Sequence, residues 1–219
     1  MTLILSVILS LVFGAQPTTA STTRPETTYT IRVDTSAAPE MDAYGQEVQA
    51  LSEEWYPKIV AMLPSEGFEA PAEVVITFDP DYGGVAEASG NRIRCSTKWF
   101  TERPEDLGAV IHELVHVVQQ NRARGRPGWL VEGIADHVRF FTYEPESARP
   151  NPQGDARKYD AAYRTSAAFL EYVQDKYNPD LVVELNAHLR GRRYDPEIWQ
   201  ELTGKSVEAL GAEWRDAGD

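Results

Sequence analysis

One stretch constrains this chain more than any other: Ile111-His112-Glu113-Leu114-Val115-His116-Val117-Val118-Gln119. Leu107, Ile111, Leu114 and Val118 recur at steps of three and four, the spacing of a buried helix face. His112 and His116 lie four apart and project from one side of that helix. Two imidazoles one turn apart can share a single zinc ion through ring nitrogens at about 2.0–2.1 Å. Glu113 is offset around the helix, so it can reach a water on that ion without itself being a ligand. The water needs a base, because zinc lowers its pKa only to about 7. The competing reading is a metal-free polar pair, but a His pair buried among Leu114, Val115, Val117 and Val118 needs partners.

A catalytic zinc site takes three protein ligands and keeps one position open. A third His ten residues after the first would mark a metzincin, but that position is Arg122. The following segment, Trp129-Leu130-Val131-Glu132-Gly133-Ile134-Ala135-Asp136, places one acid in an apolar run. A short turn separates it from the His112 helix, so the two helices can pack with Glu132 facing His112 and His116. Gly133 permits close helix approach. Asp136 lies one turn further on the same face and can accept the second ring N–H of a ligand His. The bland alternative makes Glu132 and Asp136 surface acids paired with Arg139.

These two segments together resemble the gluzincin metallopeptidases. More narrowly, they resemble the plant basic secretory protein family and its bacterial relatives, whose members are regarded as peptidases. Further matching segments are Gly84-Val85-Ala86, Lys158-Tyr159-Asp160 leading to Tyr163, Ala168-Phe169-Leu170-Glu171-Tyr172 and Leu202-Thr203-Gly204-Lys205-Ser206-Val207. The likeness is good over 74–219 and loose over 29–73. The chain departs from it in its acidity and in His137, which stands where an aromatic residue is common. The resemblance implies a zincin-like α+β fold with a small N-terminal sheet, an active-site helix and a mostly helical C-terminal lobe. It implies a Zn²⁺-dependent peptidase acting on a peptide or protein substrate. It also suggests Tyr163 as an oxyanion donor, against the alternative that Tyr163 only packs one helical turn from Tyr159. His188 is a weaker donor candidate. A different class, a non-catalytic secreted binding module on the same scaffold, would have no use for Glu113.

Composition narrows the partners. The chain of 219 residues carries a net charge of −13, which argues against nucleic acid and anionic membranes. Leu3–Ala15 is apolar and the first 20 residues hold no charged side chain, which suits a cleaved secretory signal over 1–20 and hence secretion. Residues 21–28 continue a Thr/Ser/Pro-rich linker, and 29–219 form one domain, expected to be monomeric. Cys95 is the only cysteine, so no internal disulfide forms; it reads as a small buried residue.

Periodicity places strands at 29–33 and 74–78 and a hairpin over 84–96 turning at 89–91. The returning strand of that hairpin, if an edge, can pair with an extended peptide. A helix over 41–63 should bury Val48, Leu51, Trp55, Ile59 and Met62, with Pro57 kinking it. The His112 helix is expected to open at Pro104 and stop near Gly125. Further helices are expected at 129–142, 156–177, 179–190, 195–203 and 206–216.

Overall fold

The computed structural model describes residues 28–120 and 125–218. The signal at 1–20, the linker up to residue 27 and the expected helix end at 121–124 lie outside the described residues. Four strands form one mixed sheet: β1 (Thr30–Asp34), β2 (Glu73–Asp79), β3 (Ala86–Ser89) and β4 (Arg92–Ser96). Their order is β1-β2-β4-β3, with β1, β2 and β4 parallel and β3 antiparallel to β4. The hairpin turns through Gly90 and Asn91; Gly90 takes φ 65°, which a residue without Cβ adopts at no steric cost.

The sheet is covered on one face. Val74, Ile76, Phe78, Ile93 and Cys95 are fully buried, while the alternating Val75, Thr77, Arg92 and Arg94 are not. This period of two is what a half-buried strand presents. Two helices supply the cover, α1 (Asp42–Met62) and α3 (Gly108–Gln119). α1 buries Gly45, Val48, Ser52, Tyr56 and Ile59. Leu51, Trp55 and Met62, expected at its centre, lie half-buried on the flank. The face turns because its polar members find internal partners. Ser52 Oγ donates to Val48 O at 2.7 Å, and the Tyr56 hydroxyl donates to Pro71 O at 3.0 Å. Gly45 lets the backbone close on the first strand, since a Cβ there would stand 2.9 Å from Thr35 Cγ2.

Between β4 and α3 the chain forms a short helix, α2 (Thr97–Glu102), which the periodicity did not predict. Ser96 caps it by accepting from Trp99 N at 3.3 Å. Pro104 falls in the turn after α2, so α3 begins at Gly108, later than expected. At its other end α3 stops at Gln119, because Gln120 is left-handed (φ 50°) and breaks the helix ahead of Gly125.

The C-terminal half is helical: α4 (Gly128–Val138), α5 (Tyr163–Lys176), α6 (Leu181–Arg190), α7 (Ile198–Thr203) and α8 (Val207–Asp216). α4 widens into a π-type turn over Arg139–Tyr143 instead of running on as α-helix. α5 starts seven residues after the predicted 156, so Tyr159 and Tyr163 are not on one helix. Tyr159 packs instead against Trp129 and Phe169. Glu213 ties α8 to α5 by accepting from Tyr172 at 2.8 Å and from Lys176 at 2.6 Å. Among the described residues no helix is long and apolar enough to cross a membrane.

Gly133 serves a different contact from the one expected. It faces α5 and not α3: a Cβ there would meet Ser166 Cβ at 2.8 Å and Leu170 Cδ1 at 3.4 Å. Gly133→Val should therefore lower unfolding free energy by about 1–3 kcal/mol through overpacking. Urea unfolding should show a lower midpoint with an unchanged slope. A midpoint equal to the parent's would remove the close approach from the account.

Candidate metal centre

α3 and α4 run antiparallel. Their facing residues pair in sequence: His112 with Asp136, His116 with Glu132, and Gln119 with the carbonyl of Val131. This packing brings three potential ligand atoms together. His112 Nε2 and His116 Nε2 are 3.0 Å apart, and Glu132 Oε2 lies 3.2 Å from the first and 3.3 Å from the second. The acid expected to be isolated on an apolar helix thus stands against both imidazoles, and Arg139 pairs elsewhere, with Asp106 and Glu144.

The second ring nitrogens determine what this triangle can hold. His112 Nδ1 donates to Asp136 Oδ1 at 2.7 Å, and the carboxylate is buried. His116 Nδ1 lies 2.7 Å from Gln119 Oε1. Gln119 Nε2 donates to Val131 O at 3.1 Å, which fixes Oε1 as the acceptor. Both imidazoles therefore place a proton on Nδ1 and direct Nε2 inward. The two Nε2 atoms and a carboxylate oxygen converge on one point, where a positive charge, a proton or a metal ion, is needed to relieve their repulsion. An ion bound tetrahedrally at about 2.0–2.1 Å spaces its ligands ~3.4 Å apart, close to the three separations found. His112, His116 and Glu132 form the one group among the described residues in which three such atoms come within this range.

Electrostatics agree with the geometry. Burial disfavours a charged His112, but hydrogen bonds with Asp136 and Glu132 outweigh it and raise its pKa to about 9. Burial likewise opposes a charged Glu132, yet hydrogen bonds from His112 and His116 hold its carboxyl well below the ordinary range. The residues attract positive charge to one point, and a proton is the smallest cation that can answer.

Glu113 stands apart from the triangle. It is 8% exposed and lines the same cavity of about 630 Å³ as His112, His116 and Glu132. Burial raises its pKa, while the neighbouring His112 and His116 oppose that rise. β3 forms the opposite wall, where Ala86, Glu87 and Ala88 line the cavity beside Val85. β3 is the sheet edge on the cavity side; β4, the returning strand considered for peptide pairing if it were an edge, lies between β2 and β3.

Tyr163 also lines the cavity, 56% exposed, with its ring stacked 6.1 Å from that of His112. Nearby Glu132 raises its phenol pKa, and burial adds to this, so the hydroxyl stays protonated. The backbone that presents it is strained. Ala162 takes φ 64°, ψ 175°, a region nearly confined to glycine, and Tyr163 takes φ 48°. Each such residue costs about 1–3 kcal/mol and persists only where its surroundings hold it. His188, the alternative donor, lies on α6 and is not among the residues lining this cavity. His137 donates or accepts at Glu171, 2.7 Å away, and stacks on Phe141 behind the cavity. Gln119 is a site residue that sequence reasoning missed; its only signal there is an amide three residues after His116 in an apolar run, and the structure shows that amide fully buried.

A family model described as a peptidase of plants and bacteria (BSP) matches residues 28–214. Comparison with the curated proteins and with the solved structures gave no match. The family match spans both the sheet and the helical half, including every residue of the cavity, and on that extent the chain belongs to the peptidase family of plants and bacteria.

Proposed function

We propose that this chain is a secreted zinc-dependent peptidase of the gluzincin type on a zincin-like α+β scaffold. The reading rests on one observation: His112, His116 and Glu132 turn three lone pairs to one point while Asp136 and Gln119 hold the imidazole protons on the far side. Two imidazoles and one carboxylate are a borderline donor set that would suit zinc. When bound there, zinc supplies Lewis-acid polarisation of the scissile carbonyl and lowers the pKa of water. The domain reading places the mature enzyme at 29–219 after a signal at 1–20 and a linker at 21–28, acting as a monomer outside the cell.

The chain's own residues supply the rest. Glu113 takes the proton of the attacking water and passes it to the leaving amine. Its burial and raised pKa make it a better base than an exposed glutamate. The Tyr163 hydroxyl, neutral and with no hydrogen-bond partner among the described residues, donates to the oxyanion formed on attack. Among the described residues no further strand pairs with the cavity side of β3, where an extended peptide can add as one.

Three measurements test this reading. Glu132→Ala leaves two ligands and should release zinc, whereas Asp136→Ala and Gln119→Leu should weaken zinc by about 10–100-fold, since each frees an imidazole to rotate or change tautomer. Competition with a chromophoric chelator reads all three; native affinity in Glu132→Ala would remove that ligand. Glu113→Gln should keep one zinc per chain while peptide hydrolysis falls by at least about 10². Hydrolysis at the parental rate would take Glu113 out of the reaction. Tyr163→Phe keeps the stacked ring and loses the donor, so kcat should fall by about 10–10³ with KM little changed. A kcat within about twofold of the parent would leave Tyr163 as a packing residue only.

A further inference from the structure

The cavity has two chemically different ends. Because α3 and α4 are antiparallel, Ala109 lies one turn before His112 at the same end where Phe140 lies one turn after Asp136. One turn is about 5.4 Å, less than two residues of extended peptide. At this end two guanidinium groups lie over the buried Phe140 ring: Arg139 Cζ at 4.7 Å and Arg164 Cζ at 4.5 Å from its centroid. The two cations differ in what they hold. Arg139 is mostly buried and committed to Asp106 and Glu144. Arg164, on the first turn of α5 beside Tyr163, is exposed to the cavity and makes no ion pair among the described residues.

That absence of a partner is informative because carboxylates are plentiful nearby. Glu113, Glu132 and Asp136 line the same cavity and answer to the imidazoles, and Glu87 on the β3 wall pairs with Arg94. A carboxylate arriving from outside would be repelled by these acids, and apart from the metal point Arg164 is the cation of the lining left without an ion-pair partner among the described residues. A guanidinium braced on an aromatic ring loses little freedom on binding and presents paired N–H groups that match a carboxylate.

We propose that Arg164, held over Phe140 at the Ala109 end of the cleft, is a carboxylate-binding subsite that selects peptides with an acidic group within one or two residues of the scissile bond. This inference rests on the peptidase reading for its ligand. The carboxylate can come from an Asp or Glu side chain or from the free end of a peptide chain, and both offer the same two oxygens. Arg164 acts on specificity and takes no part in the proton transfers.

The test uses the full chain bearing Glu113→Gln, loaded with zinc so that bound peptide is not consumed. Calorimetric titration compares acetyl-Ala-Ala-Glu-Ala-Ala-amide with its Gln counterpart, and acetyl-Ala-Ala-Ala as free acid with its amide. A single Glu suffices, since a peptide lying along a strand edge can slide in register. The acid should bind about tenfold more tightly than the matched amide in at least one pair, the scale of one charge-assisted hydrogen bond at a partly exposed site. A gain in the first pair only assigns the subsite to side chains, and a gain in the second only assigns it to chain ends. Adding Arg164→Gln should erase the difference, and Arg164→Lys should keep part of it, because an ammonium retains charge without the paired donors. Equal affinities in both pairs, no binding of any peptide, or an acid preference that survives Arg164→Gln would overturn the subsite. The same peptides offered to the unmodified chain separate the two readings. Cleavage with no acid preference overturns the subsite and leaves the peptidase standing. Acid-selective binding with no cleavage of any peptide overturns the peptidase and leaves the subsite standing.

Discussion

The convergence of two imidazole nitrogens and a carboxylate between antiparallel α3 and α4 is the constraint on which the rest of the structure depends. Three lone pairs within 3.0–3.3 Å of one another repel unless a cation sits among them. The fold tolerates this because each partner is held from behind. Asp136 and Gln119 fix the ring tautomers, and the Gln119 amide is itself fixed by the Val131 carbonyl. That chain of hydrogen bonds crosses between the two helices twice, so the helix packing and the ligand geometry are a single arrangement. A buried polar network of this kind specifies one structure only if every member is satisfied. Here the last valence of each imidazole faces the cavity.

The remaining elements position chemistry around that point. The one-sided sheet packs its apolar face on α1 and α3, which sets α3 beside β3 and brings Glu113 against the edge strand. On the other side α5 approaches α4 closely through Gly133 and Ser166. This approach delivers the strained Ala162-Tyr163 pair and Arg164 to the rim of the cleft. Strain at those residues is sustained by α5, whose apolar face with Phe169, Leu170 and Val173 is fully buried. The cavity therefore has a fixed floor of helices α3 and α4, an edge strand along one wall, and an aromatic and cationic rim contributed by α5 and the π-type turn.

The acidic composition has a local meaning as well. Most carboxylates at the cleft are already engaged: Glu132 and Asp136 with His112, Glu87 with Arg94, Asp106 and Glu144 with Arg139. The site thus gathers carboxylate where it attracts a metal ion and leaves an ion-unpaired guanidinium, among the described residues, at Arg164. Separation of these two characters along one groove gives the cleft a direction, which a peptide bound along β3 would sense.

Much of the site was legible in the sequence because it is built from local spacing. His112, Glu113 and His116 share one helix, and a pitch of 3.6 residues fixes their relative directions whatever the fold. Glu132 and Asp136 were legible for the same reason, as polar positions one turn apart in an apolar run, joined to the first helix by a short connection. What the sequence could not decide were choices among partners distant along the chain. Gln119 holds His116 only because its amide also reaches Val131 on another helix. The α1 face turned toward Ser52 and Tyr56 because Pro71, remote in sequence, accepts the Tyr56 hydroxyl. Gly133 faced α5 instead of α3, and β3 rather than β4 took the sheet edge at the cavity, a point the sequence left open, because strand and helix neighbours are set by long-range packing that local periodicity does not encode. The sequence by itself determined which side chains stand together on each helix. Only the tertiary structure decided which helices and strands face one another, since that depends on burying apolar faces jointly and leaving no interior donor or acceptor unpaired.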